Sequence, residues 1–366
     1  MNALFKNMTI VTALAFSFCL ILIHYAQAQT VPQYNFEELT DPVVLQVIHI
    51  DAKQTIEKSD VKITPDTYYH KGIRSYHGML VSSALFNGDV YLADMTTQFI
   101  YRLNAEGTLE RATGGRGRGP GEFLDLFRLT ATDSYLFAQD RNQRKTLIFN
   151  KEMEQVKEIQ TGSSGVIAAG KNYILVPGGL ASNYFFEVRE SRPPFEVTGN
   201  FFEHIIPVGM QPSGYRFTRA VANKEGDFII IVNGLPFLFL FDEYLNHIRT
   251  IKLEGDLVHN ILAENPPLEP VRHADWQRGG VHNVTGGLYL KDNRDILFSI
   301  RRTLCHLAYN DGSYSLNNCY QFLAPSGSES EDRSPIGIFD ILFNEEHNEL
   351  CFTSIHFANR YCYPFE

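Results

Sequence analysis

Short apolar runs of about five to seven residues recur along this chain, each closed by a polar turn and followed by a second run. The first such unit reads Asp89–Asp94, Phe99–Asn104, a turn at Glu106–Gly107, then Thr108–Thr113. The second reads Ser134–Asp140, Thr146–Phe149 and Gln155–Gln160. A third has Asn172–Val176 and Tyr184–Val188, and a fourth Asp227–Asn233, Phe237–Phe241 and His247–Leu253. The fifth runs Asp295–Ile300, Leu304–Tyr309, a turn at Asn310–Gly312, then Tyr314–Phe322. The sixth has Phe339–Phe343, Glu349–Ile355 and Asn359–Tyr363. Continuous apolar runs of strand length indicate strands buried on both faces, and Gly, Asn and Asp at the joints supply hairpin turns. Helical periodicity is nearly absent, with Val258–Ala263 the best short candidate.

A unit of about 40 to 60 residues built on four strands predicts an all-β fold, a six-bladed β-propeller forming one domain over residues 29–366. The sixth unit reaches Glu366 with three strands. The apolar segment Val43–Ile50 lies ahead of the first unit without a local partner, so it is expected to supply the missing fourth strand and close the ring. Cys305 and Cys319 flank the Asn310–Gly312 turn almost symmetrically, and Cys351 and Cys362 flank a turn around His356–Ala358. Two hairpin disulfides, Cys305–Cys319 and Cys351–Cys362, are the preferred pairing; four free buried thiols are the alternative, since a register slip of one residue would separate them.

The N-terminus predicts that these units lie outside the cytoplasm. Lys6, an apolar run from Met8 to Ile23 and the small residues Ala26 and Ala28 form the three parts of a secretory signal over residues 1–28, with cleavage expected after Ala28. An uncleaved anchor is the competing reading. No other segment is long and apolar enough to span a bilayer, so no stable membrane insertion is expected once the signal is gone. Export to the periplasm or beyond meets an oxidising compartment, which suits paired cysteines. With 42 acidic against 32 basic residues, the chain is repelled by nucleic acid and anionic lipid.

The run Gly114-Gly-Arg-Gly-Arg-Gly-Pro-Gly-Glu-Phe123 holds five glycines in ten residues. A basic, glycine-rich loop invites a phosphate-binding reading. A P-loop, however, needs Gly-Lys-Ser/Thr leading into a helix, and here Pro120-Gly121 precedes a β-rich segment. The run instead resembles the inter-blade segment of NHL-type repeats, in which a glycine-rich stretch ending in Gly-Glu/Gln-Phe joins one blade's outer strand to the next blade's inner strand. The resemblance is carried by Asp89–Asp140; the other units match by strand layout alone. It implies a six-bladed propeller of the NHL/TolB-like kind, within the exported bacterial propellers related to NHL proteins. It also implies that Phe123 anchors the next blade and that Glu122 bonds locally. Propellers of this kind include RNA readers, lyases, and calcium-dependent lactonases or esterases. An acidic exported chain lacks the basic face that RNA needs.

Three sets of residues are candidates for chemistry. Asp94, Asp140 and Asn233 each follow the first apolar strand of their unit and could converge on a hard cation such as calcium; the same residues commonly cap turns, which is the stronger reading. His70 and His77 precede the first unit, and His273, Trp276, Arg278 and His282 cluster in an insertion before the fifth. These two patches could line one mouth of the channel, with Trp276 a stacking platform for a carbohydrate or a carboxylate-bearing ligand. Arg116 and Arg118 on the glycine run could grip an anion. No nucleophile motif such as Gly-x-Ser-x-Gly occurs. The sequence therefore predicts a monomeric binding or interaction module that takes a protein, carbohydrate or small-molecule ligand at one face of the channel, without an obligate cofactor. A metal-dependent hydrolase or lyase at the channel mouth is the alternative.

Overall fold

The structure, a computed structural model, describes residues 31–365 except 59–61, 64–66, 71–72, 77, 105–106, 163–164, 179–181, 204–217, 233–234, 260–286, 301, 324–337 and 355–358. The signal-peptide expectation lies outside these residues. Among them, no helix is long and apolar enough to cross a membrane.

Six antiparallel sheets stand as the blades of a propeller, each running from an inner to an outer strand. Blade 1 is Leu80–Phe86, Asp89–Asp94, Phe99–Leu103 and Leu109–Gly114; blade 2 is Leu126–Ala131, Leu136–Asp140, Lys145–Phe149 and Gln155–Gln160. Blade 3 is Ala168–Ala169, Tyr173–Pro177, Tyr184–Glu190 and Val197–Glu203; blade 4 is Thr218–Ala222, Phe228–Val232, Phe237–Phe241 and His247–Glu254. Blade 5 is Leu288–Leu290, Ile296–Ile300, Thr303–Asn310 and Ser313–Phe322, and blade 6 begins with Asp340–Asn344, Glu349–Ser354 and Asn359–Pro364. The second and third strands are the most buried, completely so in Phe228–Val232 and Lys145–Phe149, because both sheet faces press on neighbouring blades. The apolar core is accordingly divided into layers between blades. One joins blades 3 and 4 through Phe201, Phe202, Phe239 and Phe241, and another joins blades 4 and 5 through Ile229, Leu240, Leu290 and Phe298.

In blades 1 to 5 the repeat is thus phased one strand earlier than the apolar runs suggest, while the sixth unit begins on its inner strand as read. The inner strands carry more polar residues and lie next to the channel, so their pattern is weaker than that of the strands behind them. Val197–Glu203, which has no counterpart in the third unit as read from the sequence, is the outer strand of blade 3.

Ring closure follows the expected principle with a different segment. Three N-terminal strands, β1 (Leu45–His49), β2 (Thr55–Lys58) and β3 (Lys62–Ile63), each join a different blade. β3 pairs antiparallel with Asn359–Pro364, Ile63 opposite Tyr361, and completes blade 6. Val43–Ile50 does not take that place: β1 runs parallel to the outer strand of blade 4, Leu45 opposite Thr250, and β2 runs parallel to that of blade 5, Thr55 opposite Cys319. Upstream, the short helix α1 (Phe36–Leu39) is capped by the Asn35 side chain, which accepts from the Glu38 N–H. Phe36 sets its ring edge-on against Phe237, 5.4 Å between centroids, and Gln33 donates to the Asn200 carbonyl of blade 3. The N-terminal segment is therefore a belt that passes blades 3, 4, 5 and 6 on the outside before entering blade 1.

Both expected disulfides are present, Cys305–Cys319 and Cys351–Cys362, joining directly opposed residues of adjacent strands. The turn between the first pair has φ of 48° at Asp311 and 82° at Gly312, the left-handed pair that a two-residue hairpin requires.

Candidate functional site

Strand direction gives the ring two unlike ends. At one end lie the links from each outer strand to the next inner strand, including the glycine run. At the other lie the tight turns between first and second strands.

The glycine run is a compact fold-back. The Gly115 N–H bonds the Gln98 carbonyl, the Phe123 N–H bonds the Gly115 carbonyl, and the Glu122 carboxylate accepts from the Gly119 N–H at 2.7 Å. Gly114 has φ of 108°, and a Cβ there would stand 2.9 Å from the Gln98 carbonyl oxygen. Phe123 is fully buried in the layer between blades 1 and 2. The glycines, Glu122 and Phe123 thus serve chain geometry and anchoring. Arg116 is exposed and reaches the Thr96 carbonyl at 3.5 Å; Arg118 is exposed, with no hydrogen bond or ion pair among the described residues.

Asp94 and Asp140 are both fully buried and turned onto backbone. Asp94 accepts from the N–H groups of Gly78, Met79, Thr96 and Thr97. Asp140 accepts from the N–H groups of Leu124 and Gln143 and from the Gln143 amide. Each carboxylate ties an inter-blade link to the following turn, which is the capping reading. His70 ends strand Thr67–His70, paired with Ile73–Tyr76; its side chain, with His77, Asn233, His273, Trp276, Arg278 and His282, lies outside the described residues. Among the described residues, the one group of three potential metal ligands is Glu349 with Cys351 and Cys362, and those two sulfurs are bonded to each other.

A cavity opens at the other end of the ring. It is a funnel of about 670 Å³ on the channel axis, and the first turn of every blade contributes to its rim: Asn87, Asp133, Lys171, Lys224, Asp292 and Glu345, in blade order. Ser83 and Arg128, mid-strand on the inner strands of blades 1 and 2, lie below that rim and form its deep wall.

Beneath them the channel is crossed by a polar network. Asp340, on the inner strand of blade 6, takes Arg128 Nη1 on one carboxylate oxygen; on the other it accepts from the Ser82 hydroxyl at 3.1 Å and the Ser83 N–H at 2.9 Å. Ser82 in turn accepts from the Leu129 N–H. Arg219 of blade 4 donates to the Phe339 carbonyl at 3.0 Å and lies over the Phe339 ring. Burial, then the nearby Arg128 charge, pull the Arg219 pKa down to about 10, against the opposing pull of Asp340. Ser83 and Arg128 are 7% and 6% exposed, and among the described residues the Ser83 hydroxyl and Arg128 Nε find no partner. The apolar layer between blades 6 and 1 is small, Leu342 and the Cys351–Cys362 pair against Leu85 and Val90, so this network carries much of that seam.

None of these channel residues belongs to the sets that the sequence brings forward. Their signal is a lone charge inside an inner-strand run, as in Leu126-Phe-Arg-Leu-Thr130 and Phe339-Asp-Ile-Leu-Phe343. It becomes readable only once the inner strands are phased correctly.

No protein-family model matches the chain, and no curated protein does. Among solved structures, a Bacteroides fragilis protein provisionally assigned as exported superposes with a TM-score of 0.51 at 12% identity, covering 75% of this chain and 80% of that one. A streptogramin B lyase gives 0.48 at 9% identity over 82% and 96% of the two chains. The propeller domain of Myceliophteria thermophila Cps50 (Swd1) gives 0.47 at 11% over 80% and 99%. At these identities the likeness concerns fold alone. Strand order and the layered core show the fold: the chain is a six-bladed β-propeller closed by an N-terminal strand.

Proposed function

We propose that this protein is an exported, monomeric binding module that takes its ligand in the funnel at the channel end framed by the first turns of the six blades. The observation that carries the reading is the pairing of a concave, axial cavity with buried polar groups at its deep wall. A volume of about 670 Å³ is in the range that holds a drug-sized ligand, and such sites combine an apolar wall with a few placed polar groups. Buried donors lacking a protein partner are uncommon in a folded chain and are met by solvent or ligand. Two disulfides suit an oxidising compartment, in keeping with export. The metal-dependent hydrolase or lyase has less behind it, because Asp94 and Asp140 spend their oxygens on backbone N–H groups.

The test is a thermal-shift screen of the mature chain, residues 29–366, against small acids, sugars, peptides and divalent metals, run beside Ser134→Trp. Ser134 is an exposed residue of the funnel rim, and the indole would occlude the opening. A true ligand at one hundred times its Kd raises stability by about 2.7 kcal/mol in the parent, and Ser134→Trp removes that gain. Ligands that stabilise both proteins equally bind elsewhere and overturn the assignment to the funnel. Stabilisation only by a metal would favour the enzyme.

A further inference from the structure

The charges around the funnel are sorted by blade, and the sorting repeats at two depths. At the deep wall and just beneath it, Arg128 comes from blade 2 and Arg219 from blade 4, while Asp340 comes from blade 6. At the rim, Lys151 and Arg192 stand on blades 2 and 3, both exposed, and Glu345 and Glu346 stand exposed on blade 6. Two further rim cations are already committed: Lys171 to Glu243 at 3.5 Å and Lys224 to Asp292 at 3.4 Å. Asp133 is the one rim carboxylate on the basic side, and it leaves Lys151 and Arg192 in excess there. In a six-membered ring, blades 2 and 3 face blades 5 and 6, so a transverse field runs across the funnel from blades 2–4 towards blade 6. Of the buried side-chain donors without a hydrogen-bond partner among the described residues, two line the funnel. Nε of Arg128 lies at the positive side of the field, and the hydroxyl of Ser83, on blade 1, lies between blade 6 and blade 2.

The geometry points to a zwitterionic ligand, a short peptide with both ends free, whose carboxylate enters on the Arg128 side and accepts from Ser83 and Arg128 while its ammonium faces Glu345 and Glu346. A carboxylate is the acceptor that a guanidinium N–H and a neighbouring hydroxyl bind together. A separated positive charge is what the opposite rim selects, and a dipole lying against the field would meet like charge at both ends. The cavity is large for a single amino acid and suited to a few linked residues. This inference rests on the funnel being the binding site.

Isothermal titration of the mature chain with tetra-alanine, its C-terminal amide and its N-acetyl form tests it. The free peptide should bind, amidation should weaken binding about tenfold or more, and acetylation about threefold to tenfold. The double variant Glu345→Gln/Glu346→Gln should lose sensitivity to acetylation and keep sensitivity to amidation. Ser83→Ala should reduce the amidation penalty while leaving the acetylation penalty in place. Equal affinity for the three peptides, or no binding of tetra-alanine, overturns the inference. If tetra-alanine is silent while another compound stabilises the parent and not Ser134→Trp, the funnel stands and the zwitterion falls. If every stabilising compound acts equally on Ser134→Trp, both fall.

Discussion

Replacing Asp340 with alanine should destabilise the propeller by about 3–5 kcal/mol, the cost of leaving one member of a buried ion pair alone. The estimate follows from the surroundings of the carboxylate. Its side chain is 1% exposed and that of Arg128 is 8% exposed, so the guanidinium regains little hydration from the funnel when its partner is removed. The same carboxylate also serves the Ser82 hydroxyl and the Ser83 N–H, and both lose their acceptor in the variant. For a chain of this length the melting temperature should fall by about 4–7 °C. Asp340→Asn keeps a neutral acceptor and should cost roughly half as much. The double variant Arg128→Leu/Asp340→Leu removes the charge with its counter-ion and should recover most of the loss, so the two sites should be strongly non-additive. Urea unfolding followed by tryptophan fluorescence and circular dichroism, under non-reducing conditions, gives all three values. A loss below about 1 kcal/mol for Asp340→Ala, or simple additivity in the double variant, would refute the reasoning: the guanidinium would then reach bulk water, and the channel would be open at this depth.

Two other outcomes follow from the same structure. Phe123→Ala should cost about 3–5 kcal/mol in urea unfolding, as for other fully buried aromatic side chains, whereas Arg118→Ala should stay within about 0.5 kcal/mol; the reverse order would make the glycine run a binding loop instead of an anchor. His247 is held mainly by burial at a pKa of about 4, below its ordinary 6.5, with its ring against Tyr34 of the belt and Phe241 of blade 4. Between those two values the unfolded chain binds a proton that the folded chain refuses, so stability is full above pH 6.5 and is lost as the pH falls towards 4. After allowance for the ring's remaining contact with water the loss should be about 1–2 kcal/mol, and His247→Asn should flatten that part of the pH–stability curve; an unchanged slope in the variant would show that other groups set it.

The architecture was legible because the second and third strands of each blade are buried on both faces. Phe228–Val232 and Phe237–Phe241 are unbroken apolar runs, buried at every position but Phe237. The cysteine pairs were legible for a related reason, since their spacing about a turn fixes the register. What the sequence concealed lies at the two edges of each sheet. Outer strands such as Gln155–Gln160 are mostly exposed, and inner strands mix apolar and polar positions, so neither has a strong period. Val43–Ile50 was apolar enough to be recognised as a strand, but its parallel seat on blade 4 depends on contacts far along the chain. The site followed the same rule. Arg128, Arg219 and Asp340 become neighbours only when the ring closes, whereas Arg116 and Arg118 drew notice because their loop is conspicuous in the sequence. Within that loop the glycines, Glu122 and Phe123 belong to the scaffold.

The belt has a temporal consequence. Leu45–His49 needs Thr250–Glu254, Thr55–Lys58 needs Cys319–Phe322, and Lys62–Ile63 needs Tyr361 and Cys362. Whether the chain emerges from a ribosome or through a membrane, the residues that come out first are the last to find their seats. Until then the outer edges of blades 4 and 5 stay open and blade 6 lacks its fourth strand, while the belt itself trails as an apolar strand without a partner. Contacts so distant in sequence are slow to form, and unpaired edges recruit strands from other molecules. Assembly of this propeller is therefore a closing of the end upon the beginning, and its most vulnerable moment comes after every blade but the last has been made.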